Sequence, residues 1–224
     1  MVCSGDQMIG TAADIATLNR CSSVTGNVRF YGTGLASVLS LPALRTVDGS
    51  FEVSTTELTS VSLPALTRVG GLRFNSPQLQ SVSAPTLTTV DRIFELWINP
   101  KLTTLDLPAL ASVGSLSLNG NALLANVSFP SLASVTSYIN IASHDALVSA
   151  SFPVLTQVGM AFSVSTNASL TALEFPLLTR VGGSFTISNN TKLPTCRAQA
   201  IVSHLSGFTT TAKISGNDDA GTCP

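Results

Sequence analysis

Charge is scarce in this chain. Only 10% of its 224 residues are Asp, Glu, Lys or Arg, against about 25% in an average soluble domain, and the formal net charge is -1. Nucleic acid and anionic membrane surfaces both demand clustered Lys and Arg, so neither is an expected partner. Between Asp106 and Glu174 the only charged side chain is Asp145, which leaves nearly a third of the chain with an almost uncharged surface. Long apolar runs are missing as well. Although 44% of the residues are hydrophobic, no stretch of about 18, the length that spans a bilayer, runs without Ser, Thr, Asn, Gly or Pro, so no transmembrane segment is expected.

Cysteine is absent from the whole middle of the chain: Cys3 and Cys21 stand at the front, Cys196 and Cys223 at the back. A zinc site wants close C-x-x-C pairs or neighbouring His, and neither occurs. The layout instead suits one disulfide clamping each end, Cys3 with Cys21 and Cys196 with Cys223, in an oxidising compartment. No leader precedes Val2, so an exported form is expected to have had its leader trimmed. Nucleophile elbows, Walker glycine loops and H-E-x-x-H motifs are also missing. The expectation is therefore a protein that is not an enzyme and has no catalytic residues, metal or cofactor.

What the sequence has in abundance is repetition. LPALRTVDG at 41, LPALTRVGG at 63, LPALASVGS at 107 and FPLLTRVGG at 175 are variants of one phrase. Pro42, Pro64, Pro85, Pro108, Pro130, Pro153 and Pro176 follow one another at intervals of 22, 21, 23, 22, 23 and 23 residues, the mark of a solenoid. Around each proline the same apolar skeleton recurs, for example Leu58, Val61, Leu63, Leu66, Val69, Leu72 and Phe74. Every coil contains a proline and pairs its apolar residues at i, i+2, so strands fit and helices do not. One coil cannot bury its apolar row alone. Stacked coils align Leu on Leu and Val on Val, which is the physical reason for the repeat. The expected fold is mainly β: a parallel β-helix of about eight coils, with rungs about 4.8 Å apart and a length on the order of 38 Å.

One column marks a repeated turn. Asn99, Asn121, His144, Asn167 and Asn190 lie three residues past each second inward residue, preceded by Thr33, Thr56 and Pro77. Asn suits a backbone bend and bonds to the next Asn, so His144 is expected as a substitute within a structural ladder. The open ends of the solenoid need lids. At the front, Thr11 N-caps a helix over 11–18 with Asp14 three residues on; at the back, Thr195 precedes a helix carrying Ala198, Ile201, Val202 and Leu205 on one face, with Gly207 as terminator. A single solenoid follows, with an N-terminal cap at 1–27, coils at 28–193 and a C-terminal cap at 194–224.

Taken together, Cys3, Asp14-Ile15, Leu18, Cys21 followed by VTGNVRF, the coils, Cys196 with its helix, and the closing ISGNDDAGTC resemble the L domain of insulin-receptor and epidermal-growth-factor-receptor ectodomains, also found in fungal cell-wall and bacterial surface proteins. The resemblance spans essentially the whole chain. It implies a right-handed, roughly triangular parallel β-helix, disulfide-capped, extracellular and without catalytic activity of its own. The receptors' Cys-rich module, transmembrane helix and kinase have no counterpart here, so growth-factor signalling is not carried over. Their ligand contacts lie outside the repeat motif, so no binding residue transfers by position.

The candidate site comes from the residues themselves. With Phe51, Val53, Leu72, Phe74, Phe94 and Leu96 inward, one sheet turns outward Arg29, Tyr31, Glu52, Arg73, Asn75, Glu95 and Trp97. Arg29, Glu52, Arg73 and Glu95 alternate in sign on successive rungs, either a surface salt-bridge ladder or a polar binding patch beside the sole tryptophan. Glu52 and Glu95, about 9.6 Å apart across two rungs, fall near the spacing of an inverting glycosidase pair, but Arg73 between them opposes the protonated acid such a pair needs. Farther along, the column becomes Ser117, Asn140, Ser163 and Thr186, and a second face reads Ser62, Ser83, Asp106, Ser128, Ser151 and Glu174. Such rows resemble those of ice-binding solenoids, here broken by Asp106 and Glu174. Asn217, Asp218 and Asp219 read as a polar turn in preference to a calcium site. Asn126, Asn167 and Asn189 head N-x-S/T triplets. The leading expectation is a monomeric recognition or adhesion module at the cell surface, binding a protein or glycan through this sheet face. The alternatives are a structural envelope protein, an ice-binding solenoid and a polysaccharide-active enzyme.

Overall fold

In a computed structural model, which describes residues 1–32, 34–55, 57–206 and 212–223, the chain is mainly β, a parallel solenoid of about nine turns with two short helices. Each coil lays short strands on three faces. Face one stacks the pairs at 23–24, 46–47, 68–69, 89–90, 112–113, 134–135, 157–158 and 180–181. Face two is the longest: it starts at Gln7–Ile9, runs through Val28–Phe30 and its successors to Phe185–Ser188, and closes with Lys213–Ser215. Both caps therefore contribute a rung to face two, which is why the turns exceed the eight coils expected.

The alternation of the sequence puts the expected residues inside. Val28, Phe30, Phe51, Val53, Leu72, Phe74, Phe94 and Leu96 are at most 1% exposed, and one apolar cluster runs from Ile9 to Ala198. Burial of each such side chain stabilises the fold by about 1.5–3 kcal/mol. Phenylalanines stack in the upper coils in two columns, with ring centroids 4.7 Å apart for Phe152 and Phe175 before their prolines and 4.9 Å for Phe162 and Phe185 on face two. Between faces one and two the coils approach so closely that a Cβ on Gly159 would overlap the carbonyl oxygen of Thr136, and one on Gly182 that of Gly159.

Face three is interrupted. Val38–Ser40, Ser60–Ser62, Ser81–Ser83 and Thr104–Asp106 form one sheet, and Asn126–Ser128, Ser149–Ser151 and Ala172–Glu174 form another. The break coincides with a change in the inward column before each proline, from Leu41, Leu63, Ala84 and Leu107 to Phe129, Phe152 and Phe175. The polar row expected on this face is thus two separate rows, in which Ser83 bonds Asp106 at 3.1 Å and Ser151 bonds Glu174 at 3.1 Å.

Both lids form. The front helix is Ala12–Leu18: the Asp14 amide donates to Thr11 Oγ1, and the Asp14 carboxylate accepts from the Thr11 amide at 2.8 Å. The Thr11 hydroxyl first, then the Gly10 amide, holds the Asp14 carboxyl below its usual range. Cys3 pairs with Cys21 and Cys196 with Cys223, with Cα atoms 5.7 and 6.2 Å apart. The back helix, Thr195–Val202, is capped at its C-terminus by Ser203; Gly207, expected to end it, lies outside the described residues. Thr195 is the first helical residue, its hydroxyl bonding the Asp219 carboxylate. Among the described residues no helix is long and apolar enough to cross a membrane.

Candidate functional site

Arg29, Glu52, Arg73 and Glu95 occupy successive rungs of face two in direct register. Arg29 Nε lies 3.1 Å from Glu52 Oε2, Arg73 Nη1 3.2 Å from Glu52 Oε1, and Arg73 Nε 3.5 Å from Glu95 Oε2. Asp6 extends the ladder downward, 3.5 Å from Arg29 Nη1. The Asn27 amides, backbone then side chain, hold the Asp6 carboxyl below its usual range, with a smaller contribution from Arg29. Each partly exposed pair stabilises by about 0–1 kcal/mol. Their larger consequence is electrostatic: alternate charges cancel along the column, so the surface presents no strong field of either sign.

Two residues farther along each strand stands a second outward column of Tyr31, Ser54, Asn75 and Trp97. Glu52, Ser54, Arg73, Phe74, Asn75, Glu95 and Trp97 line a cleft of about 200 Å³. Trp97, at the end of the longest strand, Thr89–Trp97, is 50% exposed. Five of the candidate residues, Glu52, Arg73, Asn75, Glu95 and Trp97, meet here. Arg29 does not line the cleft and touches it only through Glu52. Tyr31 lies three rungs below Trp97, about 14 Å away, with its ring against Gly10. Ser54 belongs to the cleft although neither charge nor aromaticity singled it out; its place in the period-two column was the signal. Arg73 uses Nε and Nη1 on the flanking carboxylates, leaving further N–H donors. Among the described residues, the side chains of Asn75 and Ser54 have no hydrogen-bond partner, and Glu95 is bonded through Oε2 only.

A change in corner geometry positions this cleft. In the lower coils the residue after the face-two strand bonds downward, the Ser54 amide to Phe30 O and the Asn75 amide to Val53 O. From Trp97 upward each corner gains one residue in the left-handed region: Ile98 at φ 54°, Gly120 at 69°, Ser143 at 61°, Thr166 at 57°, Asn189 at 57° and Gly216 at 66°. Their amides bond upward, Ile98 to Asn119 O and Gly120 to Ala142 O. The cleft straddles the rungs of Asn75 and Trp97, where one corner type meets the other.

The residue after each left-handed one is buried and joins a ladder. Asn99 Nδ2 donates to Phe74 O at 3.1 Å and to Asn121 Oδ1 at 3.0 Å; Asn167 Nδ2 donates to Ile141 O at 3.1 Å and to Asn190 Oδ1 at 3.0 Å. The ladder extends to Asn217, whose Oδ1 accepts from the Asn190 amide at 3.2 Å and whose Nδ2 donates to Ile187 O at 2.9 Å. Asn217 is therefore a ladder member and not merely part of a polar turn. At the bottom, Ser76 and not Pro77 continues the ladder, its amide donating to Asn99 Oδ1 at 2.8 Å and its hydroxyl to Thr55 O. The shorter lower corner shifts the count by one residue. Thr33 and Thr56 lie outside the described residues.

His144 takes the place of an Asn. Its Nδ1 accepts from the Asn121 amide at 3.2 Å and its Nε2 lies 3.2 Å from Leu118 O, which assigns the neutral Nε2–H tautomer. Asn121 O, 3.1 Å from Nδ1, is a second acceptor only for the charged ring. Burial disfavours that form and pushes the pKa of His144 below its ordinary value, against the opposing pull of the two carbonyls and Asp145. The ring is fully enclosed, so it reaches no ligand.

Asp218 Oδ1 accepts from the Ala220 amide at 3.1 Å, and among the described residues no three His, Cys, Asp or Glu side chains gather as metal ligands. Of the three N-x-S/T asparagines, Asn167 is committed to the buried ladder, whereas Asn126 and Asn189 are exposed. No protein-family model, curated protein or solved structure matches the chain.

Proposed function

We propose that this chain is a non-catalytic recognition module of the cell exterior that binds a protein or glycan through the cleft around Arg73 and Trp97. One observation carries the reading: the sole tryptophan stands half-exposed in a cleft, beside polar groups that retain unused hydrogen-bonding capacity. Tryptophan and arginine in a partly dehydrated pocket are the residue types that dominate binding energy. The resemblance to receptor L domains belongs to the same proposal, supported by the parallel solenoid and by a disulfide at each end. The disulfides also support an oxidising, extracellular setting.

The competing readings have less to stand on. Arg73 contacts both Glu52 and Glu95, so its guanidinium stands between the two carboxyl groups, where a glycosidic bond would have to sit for hydrolysis. An ice-binding face needs a continuous hydroxyl row. Here face three is divided, and Thr67, Thr156 and Thr179 donate their hydroxyls to carbonyls of the coil below at 3.1, 3.1 and 3.3 Å. A purely structural envelope role uses the scaffold but assigns nothing to the cleft. The test is retention of a partner from native envelope material on immobilised protein. The double variant Arg73→Ala, Trp97→Ala is expected to lose retention with an unchanged melting temperature; equal retention by the variant rejects the cleft as the binding site.

A further inference from the structure

We infer that the occupant of this cleft is a neutral saccharide ring, stacked on the indole of Trp97, with its hydroxyls held by Arg73, Asn75 and Glu95. Resting on the recognition reading above, this narrows the ligand to one chemical class. The residues form a grid: Glu95 and Trp97 on one rung, Arg73 and Asn75 on the next, Glu52 and Ser54 below. Rungs are about 4.8 Å apart and alternate residues about 6.6 Å apart, so polar groups surround one aromatic corner at fixed spacing.

The charge pattern selects for a neutral ligand. An anion attracted to Arg73 meets Glu52 and Glu95 on either side, and a cation attracted to those carboxylates meets Arg73 between them. A hydroxyl group both donates and accepts, which matches a set made of guanidinium donors, a free carboxylate oxygen and an amide that does both. The exposed indole supplies the apolar half of the site: its negative π-face attracts the weakly positive C–H bonds on the face of a sugar ring.

An extended peptide fits less well. Peptides gain their main-chain bonds by adding to a free sheet edge, whereas the rungs bearing the cleft are paired with neighbours above and below. The cleft thus lies on a sheet face. Its volume, about 200 Å³, is below the roughly 300–1,000 Å³ of pockets for drug-sized ligands, which suits a single ring of a longer chain.

The sole tryptophan makes the test direct, because its fluorescence reports this site alone. Neutral hexasaccharides of β-1,3-glucose, β-1,4-glucose, mannose and N-acetylglucosamine are titrated into the full chain. The expected result is a saturable blue shift with at least one of them, insensitive to salt because no ligand charge is screened. Arg73→Ala and Asn75→Ala each weaken the binding by about tenfold, with melting temperatures unchanged. In affinity electrophoresis Trp97→Ala loses retardation, whereas Trp97→Phe keeps part of it. Absence of any shift up to millimolar saccharide overturns the inference, as does a shift of equal affinity in the Arg73 and Asn75 variants. If the saccharides fail while the Arg73, Trp97 double variant still loses its envelope partner, the recognition reading stands with a protein as its ligand; if both fail, the cleft is not a binding site.

Discussion

Below Trp97 the outward column of face two is Arg29, Glu52, Arg73 and Glu95; above it the same column is Ser117, Asn140, Ser163 and Thr186. The lower corners turn through Ser76 and its contact with Thr55, the upper ones through a left-handed residue followed by a buried Asn or His. The lower face-three corner is filled by Leu or Ala, the upper by Phe. Yet both halves stack one uninterrupted core. The comparison teaches that inward columns alone hold the coils in register, which leaves the corners and outward columns free to differ. The candidate site lies at the seam, where a corner one residue longer sits over a shorter one.

The largest effect should ignore the seam. Gly49 and Gly159 belong to different halves, but a Cβ at either meets a carbonyl of the coil below. Gly49→Ala and Gly159→Ala are each expected to cost about 3 kcal/mol or more, since backbone cannot yield as a side chain tip does. Denaturant midpoints measure this, and a change below about 0.5 kcal/mol in either would show that the halves stack differently.

The next effect belongs to the upper half alone. His144→Ala strands the Asn121 amide and Leu118 O in the interior and should cost about 3 kcal/mol, whereas His144→Asn restores the ladder chemistry and should cost far less. The pH dependence carries a defined sign. Because the folded-state pKa of His144 is lowered, the unfolded chain binds the extra proton as pH falls below about 6.5, and stability present above that pH is lost progressively. His144→Asn should remove this slope. Asp6 and Asp14, also lowered but from 3.8, act only in more acidic solution, so the two windows are separable by unfolding at stepped pH.

The smallest effect should change sign across the seam. Thr166 is β-branched at φ 57° and exposed, a conformation that costs about 1–2 kcal/mol for a residue other than glycine. Thr166→Gly should therefore stabilise by about 0.5–1 kcal/mol after the entropy glycine loses on folding. Ser54→Gly, in a lower corner without positive φ, should destabilise by a similar amount. A loss at both positions would mean that the left-handed corner carries no strain.

Much of this architecture was legible in the chain itself. The proline interval and the i, i+2 apolar pairs indicated strands, their stacking and the side chains that face inward. Thr11 with Asp14 announced the front cap, and the four cysteines divided into a front and a back pair by position alone. The candidate site was legible as columns: sign alternation placed Glu52, Arg73 and Glu95 together, and period two added Asn75 and Trp97. Other features were illegible for one reason. Counting along the sequence assumes that every coil turns in the same number of residues, and the corners do not. Pro77 was therefore aligned where Ser76 belongs, and Asn217 escaped the ladder.

The sequence alone thus determined which residues are buried and that coils pile in parallel, because burial depends on local alternation repeated at a near-constant period. Only the tertiary structure decided where a cleft opens, how a histidine replaces an asparagine, and where face three divides. Those outcomes depend on how backbone corners of unequal length meet across neighbouring coils, residues some 22 positions apart in the chain yet about 4.8 Å apart in space.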